Sequence, residues 1–140
     1  MMRVYVSGAD DLVDVLEGFL GRAKRRVWIA CYILSLPFVL VMLAEKARRG
    51  VDVRVIVSDD PANAETVKFL RVNGVRVKIW FQRRGMLHTK MIIADDGFLI
   101  GSANLTHYGL NVNFEVMIVS HDKRVLRKLE KVFEQMWAMI

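Results

Sequence analysis

At 140 residues the chain has the length of one domain with one substantial core, and its 54% apolar content excludes a disordered or low-complexity polypeptide. A formal net charge of +6 favours polyanionic partners, nucleic acid or an acidic membrane surface, although a well-solvated basic surface has the same composition. The single cysteine, Cys31, excludes a disulfide framework and a cysteine-built metal site, and its apolar surroundings predict a buried thiol in a reducing, cytoplasmic setting.

The N-terminus lacks the apolar segment of a signal peptide, and Asp10 and Asp11 arrive early. Residues 3–7 read as a strand, with Ser7 and Asp10 as a capping pair for the helix that follows. Leu12, Leu16, Phe19 and Ala23 keep helical spacing. The cluster Arg22, Lys24, Arg25 and Arg26 falls where cations suit the helix dipole. Residues 27–34 are apolar throughout, as in a strand covered on both faces. The apolar run continues to Ala44, but Ser35 and Pro37 divide it into a strand and a helix, with Ser35 as N-cap. No membrane span, and no stable membrane insertion, is expected.

That helix ends at Gly50. Val51, Val53, Val55 and Val57 alternate with polar or smaller residues and make a third strand. Asp60-Pro61 opens a short helix ending at Gly74, and Val75, Val77 and Ile79 mark a fourth strand. A loop carrying Arg83 and Arg84 follows. Near the C-terminus, residues 114–120 read as a strand. Asp122 caps a last helix with the apolar stripe Leu126, Leu129, Phe133 and Trp137 and the basic face Lys123, Arg124, Arg127, Lys128 and Lys131. Strand–helix alternation predicts parallel strands joined by right-handed crossovers, and the second half adds an antiparallel hairpin. The expected architecture is one α/β domain spanning 1–140, a mixed, mainly parallel sheet with helices on both faces.

The densest chemistry lies between His88 and Asn104. His88 and Lys90 are two apart, on one face if extended. The apolar arms 91–94 and 98–100 flank Asp95-Asp96-Gly97, a hairpin signal. A two-residue Asp96-Gly97 turn would pair Asp95 with Phe98 and put Ser102 on the face opposite Lys90. A three-residue turn would hold Gly97 left-handed, pair Lys90 with Ser102 and His88 with Asn104, and gather all four polar groups on one face. The second register is expected. Two buried cations side by side repel, and an incoming phosphate would reverse that cost. A neutral histidine so placed can attack phosphorus.

This stretch resembles the HKD signature of the phospholipase D superfamily: His-x-Lys, four residues, Asp, then Gly-Ser-x-Asn, carried here by His88, Lys90, Asp95, Gly101, Ser102 and Asn104. Asn113-Phe114-Glu115 looks like the continuation in which a glutamate supports the active site. The segment between Asp95 and Gly101 is one residue shorter than the family's usual pattern, which makes a structural part for Asp95 the preferred one. Only one motif is present. His107 is followed by no lysine at that spacing, and His121-Asp122-Lys123 leads to no Gly-Ser-x-Asn.

The resemblance, to the short single-motif nucleases in particular, implies a homodimer that joins two copies of the motif, and phosphodiester hydrolysis through a phosphohistidine. In that scheme His88 is nucleophile and general acid–base, and Lys90 and Asn104 hold the non-bridging oxygens. Ser102 forms the floor, and Glu115 orients the imidazole. No cofactor and no metal is implied. The basic chain favours nucleic acid as substrate, with Arg83 and Arg84 gripping the flanking backbone. Its rivals are a phospholipid phosphodiesterase or transphosphatidylase and a non-catalytic nucleic-acid-binding module.

Overall fold

A computed structural model describes residues 1–81 and 85–140, so Arg83 and Arg84 lie outside the described residues. The elements run β1 (Met2–Val6), α1 (Leu12–Gly21), β2 (Arg26–Cys31), α2 (Pro37–Arg48), β3 (Asp52–Ser58), a 3₁₀ turn (Pro61–Asn63) leading into α3 (Ala64–Val72), β4 (Arg76–Trp80), β5 (Lys90–Ala94), β6 (Gly97–Gly101), α4 (His107–Asn111), β7 (Val116–Ser120) and α5 (Lys123–Ala138). All seven strands join one sheet in the order β1-β7-β6-β5-β2-β3-β4.

The mixed α/β sheet is as expected, but its parallel share is smaller. Only β2–β3 and β3–β4 pair in parallel. β1 does not pair with β2. It crosses to the far edge and pairs antiparallel with β7, Val4 opposite Ile118. Local pattern identifies a strand but not its neighbour, and this pairing closes a loop of more than a hundred residues.

Helices lie on both faces. Leu16 and Leu20 of α1, Val39 and Leu43 of α2, and Leu70 of α3 build one core with Val27, Ile29, Val55 and Ile92. α5 alone covers the other face, setting Leu126 and Phe133 on Trp28, Ile56, Met91, Ile93 and Phe98. Phe133 stacks on Trp28 at 5.1 Å, and the guanidinium groups of Arg26 and Arg54 each lie 4.8 Å from the Trp28 ring. α5 leaves the β1–β7 end of this face bare, where Met2, Val4, Val6 and Val116 are exposed. No helix among the described residues is long and apolar enough to cross a membrane.

Several caps differ from expectation. Asp11, not Ser7, caps α1 by accepting from the Asp14 N–H at 3.1 Å. Leu36 is the N-cap of α2 and offers no side-chain bond; Pro37 at the first position needs none for its missing N–H. The basic cluster after α1 serves other partners. Arg26 pairs with Glu130 at 2.6 Å and Arg25 with Asp96 at 2.8 Å. The carbonyls ending α1 are met by Lys46, whose Nζ donates to Ala23 O at 2.6 Å and Gly21 O at 3.2 Å. Asp60 and Asp122 cap as expected.

The hairpin register corrects both alternatives weighed from sequence. Ala94 pairs with Gly97 and Met91 with Ile100, so the turn is Asp95-Asp96 alone. Asp95 holds the left-handed conformation (φ 50°), and Gly97 does not. Aspartate tolerates that region better than most side chains. The carboxylate adds a reason, since it accepts the backbone N–H groups of Lys24, Arg25 and Arg26 at 2.9, 2.8 and 3.1 Å. Gly97 is needed for closeness instead: a Cβ there would lie 2.9 Å from His121 Nε2 and 3.3 Å from the Phe19 ring.

Candidate active site

His88 and Lys90 stand at the start of β5, which runs antiparallel to β2 with Lys90 opposite Cys31. They are therefore at the carboxyl end of the parallel strands β2 and β3, the end where open α/β sheets bind ligands. Lys90 Nζ lies 3.1 Å from His88 Nε2 and 3.3 Å from Nδ1. One nitrogen cannot lie on both lone-pair axes, which point apart, so this contact sits beside the ring. Lys90 directs a further bond to the His88 carbonyl oxygen, at 3.1 Å. The pair is less buried than the apolar arm suggested: His88 is exposed and Lys90 half-buried.

An open cleft of about 460 Å³ receives them, with Ser102 on its opposite wall and Val116, Ile118 and Leu129 on its apolar flank. Lys90 and Ser102 thus converge without the direct pairing expected. Continuing the register would set Lys90 opposite Gly101, but β6 ends there and the chain turns. Ser102 then sits beside the start of β7. Its hydroxyl donates to Glu115 Oε1 at 2.6 Å and accepts the Val116 N–H at 3.0 Å. Glu115 consequently does not orient the imidazole within its own chain. Its carboxylate is held by Ser102 and by Asn113 Nδ2, 3.4 Å away, because the pairing of Gly101 with Met117 puts Ser102 beside it.

Asn104 lies beyond this cleft in the segment that bridges to the loop after β2, with Leu105 N–H donating to Ile33 O at 3.0 Å. Its Oδ1 is buried without a hydrogen-bond partner, the one such side-chain atom among the described residues. That arrangement costs roughly 1–3 kcal/mol. Thr106 caps the short α4, and Gly109 lets this helix close on the Asn104 backbone, since a Cβ there would run into the Asn104 carbonyl oxygen. Gly109→Ala is expected to destabilise the chain by about 1–3 kcal/mol and to displace Asn104. Urea unfolding and the chemical shifts of the Asn104 side-chain amide would measure the two effects.

Asp95 is not part of the cleft. It sits at the other end of β5, five residues from Lys90, which is roughly 17 Å of extended chain. Partial burial pushes its carboxyl up, and the three backbone N–H groups with the charge of Arg25 pull it further down, to a net value below the usual carboxylate range. Cys31 is buried, and its thiol is pushed up to about 11 by burial, which makes it an inert core group.

Sequence reasoning missed one residue of the site. Tyr32, the residue after β2, sets its ring 5.5 Å from the His88 imidazole at 48°, and Lys90 Nζ lies 6.0 Å from the same ring. The available signal was an aromatic side chain with a polar tip at the carboxyl end of a strand that is apolar after Arg26.

A seven-stranded mixed sheet, with a histidine–lysine pair at the carboxyl end of its parallel strands, defines a phospholipase D-like domain. The chain belongs to the phospholipase D superfamily: the family described as the PLD-like domain of cardiolipin synthase matches residues 16–137. Cardiolipin synthase A of Pseudomonas aeruginosa is 30% identical over 145 residues, covering 96% of this chain and 30% of that protein. The chain therefore spans about a third of the length of that relative. In structure it is similar to NucT from Helicobacter pylori, with a TM-score of 0.87, 21% identity and coverage of 99% of this chain and 96% of the other. It is also similar to Nuc, a phospholipase D family member from Salmonella typhimurium, with a TM-score of 0.89, 19% identity and coverage of 99% and 94%. At these identities the structures show the shared fold.

Proposed function

We propose that the chain is a metal-independent phosphodiesterase that cleaves DNA or RNA, with an active site completed by a second copy of itself. The observation that carries this reading is the His88–Lys90 pair in an open cleft, a nucleophile and a fixed cation against a space that admits a phosphate. His88 of one copy attacks phosphorus. A P–N bond forms as the P–O bond to the leaving oxygen breaks, and His88 of the second copy gives that oxygen its proton. The second histidine then takes a proton from water, whose oxygen displaces the first histidine from phosphorus. Lys90 of both copies holds the non-bridging oxygens, where charge develops, while the segment carrying Asn104, outside the cleft, braces the loop after β2. Ser102 fixes Glu115, and Glu115 acts from there on the floor of the site or on the facing copy.

Support for the second copy comes from the surface. One chain supplies one histidine–lysine pair. The bare apolar strip of Val4, Val6 and Val116 runs into the cleft at Val116 and Ile118. A two-fold axis through that strip would bury it against itself and bring the clefts together. Support for nucleic acid is the charge of +6 and the exposed basic row of α5: Lys123, Arg124, Arg127, Lys128 and Lys131. The relatives named cardiolipin synthase favour a second reading, transfer at a phospholipid phosphodiester.

The test is side-by-side assay of labelled single- and double-stranded DNA and RNA, and of phosphatidylglycerol vesicles, in chelator. Cleavage of a polynucleotide without metal is the expected result. Turnover of lipid alone would install the second reading, and an absolute need for a divalent ion would overturn the scheme.

A further inference from the structure

Among the described residues, four polar side chains are buried outright: Ser58, Asn63, Thr66 and Ser120. Three of them converge on one short loop, the exit of β2. Ser58 Oγ and Asn63 Nδ2 donate to the Tyr32 carbonyl oxygen at 2.5 and 2.9 Å. Asn63 Oδ1 accepts the Leu34 N–H at 3.0 Å, and Thr66 Oγ1 donates to the Leu34 carbonyl oxygen at 2.5 Å. Asn63 also donates to the Ser58 carbonyl oxygen at 2.9 Å. From the other side the Ser35 N–H donates to Leu105 O at 2.9 Å, which ties the same loop to the segment carrying Asn104. Buried polar groups are costly unless satisfied, and a satisfied network holds its members rigidly. Here the rigidity is delivered to the loop that carries Tyr32.

We infer that Tyr32 is a positioning residue for His88, an inference that rests on the reading of His88 as the reacting group. The Tyr32 ring is half-buried and stands against the imidazole, 5.5 Å between centroids, with Lys90 Nζ 6.0 Å from the same ring. Its hydroxyl lies 3.5 Å from Asp60 Oδ2, beside the turn that leads into α3. The ring is thus tethered at its backbone and directed at its tip. Two consequences follow for an exposed histidine. A fixed aromatic wall limits rotation of the imidazole, so its reacting nitrogen keeps one direction without a hydrogen bond from a carboxylate in the same chain. The electron-rich ring also favours positive charge beside it, and His88 gains positive charge both when it bonds phosphorus and when it takes a proton. An aliphatic side chain of similar bulk fills the space and supplies neither the planar wall nor that charge preference.

The experiment uses the full chain with Tyr32→Phe, Tyr32→Leu and Tyr32→Met. Hydrolysis of thymidine p-nitrophenyl phosphate is followed, and the motion of the His88 ring is read from the NMR relaxation of its resonances, assigned by their loss in His88→Ala. Tyr32→Phe is expected to keep kcat within about twofold. Tyr32→Leu should lower kcat about tenfold with KM changed by less than about twofold, and the His88 ring should be more mobile than in the wild type. Tyr32→Met should repeat that result, and stands in for the leucine variant if that variant does not fold. Wild-type kcat and an unchanged His88 ring relaxation in the aliphatic variants would overturn the inference. If the wild type cleaves no phosphodiester, the proposed function fails by itself, and the ring-relaxation difference still decides whether the Tyr32 ring acts on His88.

Discussion

His88→Ala is expected to lower kcat for phosphodiester cleavage by roughly 10⁴-fold or more, since removing a covalent nucleophile abolishes the step and not merely its efficiency. The fold should be indifferent. His88 is exposed and lies outside both hydrophobic clusters, so its truncation sits in the class of surface changes worth about 0.5 kcal/mol or less. An unchanged urea midpoint beside lost turnover separates chemistry from stability. The same variant tests whether the site is shared. If catalysis needs a histidine from each of two copies, co-refolding equal amounts of wild type and variant leaves about a quarter of dimers active, because every mixed dimer is dead. Sites confined to single chains would leave about half. Retention of half the activity would therefore remove the second copy from the mechanism.

Asp95→Ala carries the largest expected cost in stability, about 4 kcal/mol. Three backbone N–H groups at the entrance to β2 lose a charged acceptor, each such bond being worth roughly 1 kcal/mol or more. Alanine at a φ of 50° adds roughly another 1 kcal/mol of strain, which Asp95→Gly avoids while losing the same carboxylate. The pH dependence has a definite sign. Asp95 is held below the usual carboxylate range in the folded chain, so the unfolded chain binds the proton first as pH falls. Its contribution is complete above about pH 5, where both states are ionised, and is lost as pH falls past the ordinary aspartate value near 4 and then through the lowered folded value. The gap between wild type and Asp95→Gly in urea unfolding should accordingly narrow from pH 7 towards about pH 2. A gap that stays constant with pH would mean that the carboxylate charge contributes nothing.

Neither effect can be assigned from the motif alone. Histidine, lysine and aspartate stand close together in the sequence, yet two of them lie at one end of β5 and the third at the other. The aspartate holds the hairpin that delivers the pair. Asp95 grips the chain entering β2 while Lys90 pairs with Cys31 at its exit, so one antiparallel ladder connects the anchor to the site. A change at the anchor that shifts this ladder would move His88 without touching it.

The sequence by itself determined the seven strands and four of the five helices among the described residues, the single-domain α/β class, the capping of the last helix by Asp122 and the superfamily motif from His88 to Asn104. These are local quantities: apolar periodicity, a proline in a first turn, an aspartate before a helix, a histidine two residues from a lysine. The tertiary structure decided where each strand went. β1 reads as the first strand of a parallel series, but it sits at the far edge beside β7, because that edge was open and the exposed pattern of β1 suits it. It also decided the hairpin register. The three residues Asp95, Asp96 and Gly97 allow turns of more than one length, and the choice fell to amide donors some seventy residues away, at Lys24 to Arg26. Tyr32 and the buried Ser58, Asn63 and Thr66 were illegible for the same reason. Their meaning lies in partners brought together only when β2, β3 and β5 lie side by side, and hydrogen bonds over such separations leave no periodic trace in the chain.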